Sequence, residues 1–240
     1  MNVTHTAPWL IADLSEPHRV LSWALNRPGF SIARRIVFRE VRNRDLPENV
    51  DAARWLDDAL ATAGLSDAPA LLTSRAVQSY QLTEARAGEV TAHCLATVGF
   101  SNAERVGHRH VLRHLPEPAQ FGTINIAVRL SATLTEAAHI EAVTIAAEAR
   151  TAAVMDSRVM LPRGLATGTG TDCIALACPA AAHQPHARFA GLHTDVGEAL
   201  GRSIYDAVSK GAADWLATRP DLEPHHDRKT EPPKRTQHDS

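Results

Sequence analysis

The segment 133–157 carries eight alanines and is helical in composition throughout. Alanine loses no side-chain entropy in a helix and leaves the helix thin, so it can lie close against a sheet or another helix. The pattern therefore predicts a buried helix, opened by a capping box of Thr133 and Glu136. A helix of this kind needs a flat partner, and the remaining chain supplies strand-like runs. These fall at 8–14, 19–25 and 30–41, with Arg27-Pro28-Gly29 as a turn, and again at 70–74, 89–100, 121–130 and 174–177.

Two further helices are predicted. Between residues 49 and 63, Val50, Ala53, Leu56, Ala59 and Leu60 recur at helical spacing, with Gly64 placed to stop the helix. From Asp195, a capping box with Glu198 leads into an apolar stripe of Val196, Leu200, Ile204, Val208 and Trp215. Glu198 with Arg202, and Asp206 with Lys210, are spaced as ion pairs on another face. Strands before and between helices, without an internal repeat, predict one α+β domain over 1–219, its mixed or largely antiparallel sheet packed by helices. Residues 220–240 hold prolines, many charges and only Leu222 as an aliphatic residue, so they are expected to be a disordered tail.

Charge and composition narrow the function. Twenty-five Lys and Arg against 27 Asp and Glu give a net charge of −2, which argues against nucleic acid or an anionic membrane as partner. No apolar run approaches the roughly 20 residues of a membrane-spanning helix, and the amino terminus lacks the pattern of a secretory signal. Cys94, Cys173 and Cys178 form no CxxC pair, so reduced thiols in a cytoplasm are expected. The histidines His225, His226 and His238 fall in the tail.

The chemistry-bearing residues cluster in a few loops. Thr167, Gly168, Thr169, Gly170, Thr171 and Asp172 place backbone N–H groups and hydroxyls in one turn at the mouth of a strand. Such a turn can stabilise an oxyanion or grip a polar ligand, although threonines that merely cap a tight turn would give the same sequence. Asp172 is a candidate general base, and Cys173 a nucleophile only if a histidine lies beside it. His193 stands just before a helix amino terminus, positioned as a base or ligand, or simply to fix its loop. Asn102, Glu104 and Arg105 combine an amide, a carboxylate and a guanidinium in one short loop. Asn125 alternates away from Ile124 and Ile126, so it faces a cleft or solvent if they face the core. Glu148, within the alanine-rich helix, is expected on its surface or paired.

In order, Ser-Asn-Ala-Glu-Arg-Val-Gly (101–107), Gly-Thr-Ile-Asn-Ile (122–126), Ala-Glu-Ala-Arg (147–150), Ala-Thr-Gly-Thr-Gly-Thr-Asp (166–172) and Gly-Leu-His-Thr-Asp-Val-Gly-Glu (191–198) resemble the adenosylcobinamide amidohydrolase family. The chain departs from that pattern at His108, where an acidic residue usually stands, and at Ser131, where Asn is common. The resemblance implies hydrolysis of the aminopropanol amide of adenosylcobinamide to give adenosylcobyric acid, in corrinoid salvage. The substrate would be a cobalt-containing corrinoid, with no separate cofactor and no metal ligands indicated by the sequence. On that reading Asp172, His193 and Thr171 are expected to be catalytic. Asn102, Glu104, Arg105, Asn125 and the turn Thr167, Gly168, Thr169, Gly170 are expected to bind substrate. A corrinoid-binding protein without hydrolysis, or an amidase acting on another substrate, are the alternatives.

Overall fold

The computed structural model describes residues 1–42, 45–47, 49–108, 122–180 and 187–219; the tail expected at 220–240 lies outside them. Alternating apolar residues in the first forty positions form β1 (Asn2–Thr6), β2 (Trp9–Ser22) and β3 (Gly29–Glu40). The strands expected at 8–14 and 19–25 are therefore one strand. Its pairing with β3 shifts register between Asp13 and His18, around Ser15 at φ 70° and Pro17. Proline has no N–H to give a ladder and fits at such a bulge, so Ser-Glu-Pro interrupts the strand without ending it.

Helix α1 (Ala52–Ala63) starts at Asp51, whose carboxylate accepts from the N–H groups of Ala53 and Arg54, and stops at Gly64 in the left-handed region at φ 68°. It carries the chain across to β4 (Ala70–Thr73), parallel to β3. A hairpin follows, β5 (Gln81–Ala87) with β6 (Val90–Val98), and then the two-residue β7 (Ala103–Glu104) and β8 (Ile124–Leu130). The alanine-rich segment is α2 (Glu136–Asp156). After it come the short strands β9 (Met160–Leu161), β10 (Gly164–Leu165) and β11 (Gly168–Thr169), then β12 (Cys173–Pro179) and α3 (Asp195–Ala217).

Both predicted capping boxes are displaced. The hydroxyl that caps α2 belongs to Thr135, accepting from Ala138 N–H, and the one that caps α3 belongs to Thr194, accepting from Gly197 N–H. Thr133 is buried ahead of its helix, while Asp195 and Glu198 lie inside the first turn of α3, where the helix dipole favours negative charge. Glu198 also meets Arg202 at 3.4 Å, and Glu148 is exposed.

The main sheet runs β4-β3-β2-β12-β8-β6-β5, with β1 beside the first half of β2. The pairs β3/β4 and β8/β12 are parallel and the others antiparallel, which makes the sheet mixed. It coils until its two halves face each other. Thr73 in β4 meets Thr97 in β6 hydroxyl to hydroxyl at 3.0 Å, although these strands are not sheet neighbours. Leu10, Leu14, Ile36, Phe38, Leu95 and Ala175 fill the space between the halves. Outside one half, α2 and α3 cover Ile124, Ile126, Val128, Ile174 and Leu176, and outside the other α1 covers Val37 and Ala70. The result is four layers, helices on both outer faces of a doubled sheet.

Candidate active site

The doubled sheet leaves a cavity of about 530 Å³ between its halves, at the end where β8 and β12 begin. Leu71 and Leu72 of β4 line one wall, and Asn125 of β8 with Cys173 of β12 line the other. Strand alternation explains the second wall: Ile124, Ile126 and Ile174 turn outward to the helices, so Asn125 and Cys173 turn inward. Trp23 and Leu25, which follow β2, stand at the lip and are 48% and 47% exposed.

Asp172 sits immediately before Cys173 and organises this end. Its side chain is 6% exposed and meets Arg150 Nη1 of α2 at 2.6 Å. Thr169 N–H donates to the same oxygen, Oδ2, at 3.0 Å. The other oxygen, Oδ1, accepts from Ile124 N–H at 3.1 Å and from the Thr169 hydroxyl. A carboxylate accepts at about four lone-pair positions, so these donors occupy all of them. Burial pushes the Asp172 carboxyl above the ordinary range, while Arg150, Thr169 and Ile124 pull it back. Its carbonyl is held as well, by Trp23 Nε1 at 2.9 Å. The side chain is thus enclosed, with each of its acceptor positions engaged, and is held rigidly at the head of β12.

Two of the loops singled out in the sequence meet here. β11 pairs with β7, Thr167 N–H donates to Glu104 O at 2.9 Å, and Gly170 N–H donates to Asn102 O at 3.1 Å. Val106 N–H donates to the Thr167 hydroxyl at 2.8 Å. A Cβ at Gly168 would come within 2.5 Å of Asp172 Oδ2, so the turn closes over the carboxylate only because that residue is glycine. Arg105 spends one guanidinium nitrogen on Leu165 O at 2.8 Å, tying its loop to β10. Of the turn, Gly170, Thr171 and Asp172 line the cavity, and Thr171 is exposed with its carbonyl held by the Thr123 hydroxyl at 3.0 Å.

His193 does not join them. Two residues on, Asp195 lies against Gly88 in the turn ahead of β6, where a Cβ on Gly88 would be 2.2 Å from Asp195 Oδ2. Asp172 holds Ile124, which pairs with Val98 at the other end of that strand. The first and last of the nine residues of β6 are eight rises of roughly 3.3 Å apart, which separates the two ends by roughly 26 Å. His193 is exposed there, and its expected pairing with Asp172 is corrected.

Among the described residues no histidine hydrogen-bonds Cys173; its sulfur lies 3.9 Å from Ser22 Oγ, and burial pushes the thiol up to about 11. It is a neutral thiol at neutral pH and a poor nucleophile. Arg150, Trp23 and Thr123 carry no role in the sequence reading. Arg150 had a signal, a lone guanidinium on an otherwise small-residue stretch of helix that calls for a buried acid. Trp23 had none, because its contribution depends on how the sheet coils. Among the described residues no cluster of three or more His, Cys, Asp or Glu is arranged to hold a metal, and no helix is long and apolar enough to cross a membrane.

Comparison with known proteins places the chain among hydrolases of the amidohydrolase class. A model of the adenosylcobinamide amidohydrolase family matches residues 1–220, and the chain belongs to that family. An adenosylcobinamide amidohydrolase of Halobacterium salinarum is 30% identical over 172 residues, which are 70% of this chain and 69% of that protein. Among solved structures, a beta-aminopeptidase of Burkholderia sp. aligns with a TM-score of 0.39 and 15% identity, over 87% of this chain and 78% of that one. The L-aminopeptidase D-Ala-esterase/amidase of Ochrobactrum anthropi aligns with a TM-score of 0.36 and 13% identity, over 85% and 76%.

Proposed function

We propose that the protein hydrolyses the amide that joins the aminopropanol arm of adenosylcobinamide to its corrin ring, releasing aminopropanol and adenosylcobyric acid. The observation that carries this reading is the cavity between the sheet halves. It is walled mainly by Leu71, Leu72, Ala70 and Ala24, with a few polar groups at one end, and opens past two exposed apolar side chains. A space of this size takes the arm and leaves the macrocycle at the lip, against Trp23 and Leu25. Asn102, whose side-chain amide lies beside Gly170 of the cavity wall, suits the amides at the corrin periphery.

In the reaction, water adds to the amide carbon, its proton passes to the nitrogen, and the C–N bond breaks to leave a carboxylic acid and an amine. The negative charge that develops on the carbonyl oxygen needs a fixed donor. We assign this donor to the Thr171 hydroxyl; the support is that Thr171 is exposed at the cavity with its backbone held by Thr123, and that Asp172 with Arg150 fixes the turn that carries it. Glu104, Arg105, Thr167, Gly168 and Thr169 serve the site by shaping that turn. Incubation with adenosylcobinamide, followed by assay for aminopropanol and adenosylcobyric acid, tests the reading. A corrinoid that binds but remains intact would make the protein a corrinoid-binding protein, and cleavage of other amides alone would make it a different amidase. Thr171→Val is expected to lower kcat by about a hundredfold with KM little changed.

A further inference from the structure

We infer that Asn125 recognises the N–H of the scissile amide and so restricts the site to secondary amides; this rests on the hydrolytic reading of the same cavity. Asn125 is fully buried in β8, with its side chain in the cavity wall beside Cys173 and Thr123. Its Nδ2 donates to Leu72 O of the facing sheet half at 2.6 Å. That bond fixes which way the amide points, because the reverse orientation would set Oδ1 against the Leu72 carbonyl. Oδ1 is thereby left buried with no hydrogen-bond partner among the described residues. A buried acceptor of this kind, in the wall of a largely apolar cavity, calls for a donor from whatever enters.

A secondary amide brings one N–H at the reacting centre, whereas an ester or an N-methylated amide brings none. The contact also suits the chemistry. When the carbonyl carbon becomes tetrahedral, the nitrogen loses amide resonance and gains a lone pair, which must take a proton before the C–N electrons leave with it. Holding the N–H on Asn125 Oδ1 turns that lone pair away from the Asn125 wall, toward the side from which the proton arrives. The competing role is a brace that joins β8 to β4 through Nδ2 alone.

The test compares adenosylcobinamide, its N-methyl amide and the corresponding ester as substrates, for the wild type and for Asn125→Ala. The expected results are a wild-type kcat/KM about tenfold or more lower for the N-methyl amide than for the parent, and an Asn125→Ala protein that loses about tenfold or more on the amide while changing little on the ester. Equal loss on amide and ester would leave Asn125 as a brace and overturn the inference, with the hydrolytic function intact. Wild-type cleavage of the N-methyl amide as fast as the parent would overturn it without recourse to any variant, so failure of Asn125→Ala to fold leaves the question decidable. If the wild type cleaves none of the three, the hydrolytic reading fails and this inference falls with it.

Discussion

Asp172 and Cys173 are adjacent, yet opposite things are asked of them. Asp172 is a buried charge and is fully engaged, so removing its partner should be costly: Arg150→Met is expected to destabilise the protein by about 3–5 kcal/mol, measured by urea unfolding, because it strands a buried carboxylate without its charged partner. Adding Asp172→Leu to that variant should recover part of the loss, since no lone charge then remains. No recovery would mean that the carboxylate's bonds to Thr169 and Ile124 matter more than its charge. Cys173 lines the cavity with its thiol pushed up to about 11. Cys173→Ala should therefore keep turnover within a few-fold of the wild type, and alkylation by iodoacetamide at pH 7.5 should be slow and accelerate as the pH approaches that value. A loss of activity of several hundredfold in Cys173→Ala would instead identify it as the nucleophile.

At the scale of elements, small residues decide how closely the helices approach. Gly211 of α3 rests on β6 so tightly that a Cβ there would lie 2.6 Å from Val98 Cγ2. Gly211→Ala is expected to cost about 1–3 kcal/mol by overpacking. Val98→Ala in the same chain should relieve it, which thermal melts of the single and double variants would show. The apolar stripe of α3 was legible in the sequence because Val196, Leu200, Ile204 and Val208 keep a helical period, and all are buried. β5 was not legible. Its inward residues are Thr83, Ala85 and Ala87, while Leu82 points outward and is 46% exposed, so the alternation that marks a strand runs against the usual polarity. Only its seven-residue pairing with β6 makes it a strand.

Over the whole molecule, burial of two histidines couples stability to pH. His18 and His139 are fully buried, and burial holds both below the ordinary histidine range. His139 Nε2 bonds Leu176 O at 2.9 Å, and His18 Nε2 accepts from Arg129 Nε at 3.3 Å, a donor that protonation of His18 would oppose. Above the unfolded histidine value of about 6.5 neither state binds the extra proton, and stability is unaffected. As the pH falls through that value the unfolded chain takes protons that the folded chain refuses, so stability should drop by at most about 1.4 kcal/mol per pH unit for each histidine. Tm measured from pH 7.5 to 5.5 should fall, and His18→Asn should flatten the slope. A Tm independent of pH over that range would remove both residues from this role.

The local order of the chain is legible in the residues: helices where a 3.6-residue period or alanine content demands them, a turn at Arg27-Pro28-Gly29, a helix stop at Gly64, and strands where apolar residues alternate. These are short-range properties, set by backbone conformation and by the faces a segment must bury. The sequence also marked the loops at 101–107 and 166–172, because glycine, threonine and asparagine together signal a constrained polar turn. Long-range packing sets the rest: these two loops pair through β7 and β11, Arg150 neutralises Asp172 from 22 residues away, and His193 lies at the far end of the sheet. Each of these joins segments far apart in the chain, and the cavity depends further on the coiling of one sheet onto itself, which brings β4 against β8. No local pattern encodes that coil, since it arises from strand twist summed across the sheet and from the apolar residues of both halves sharing one core.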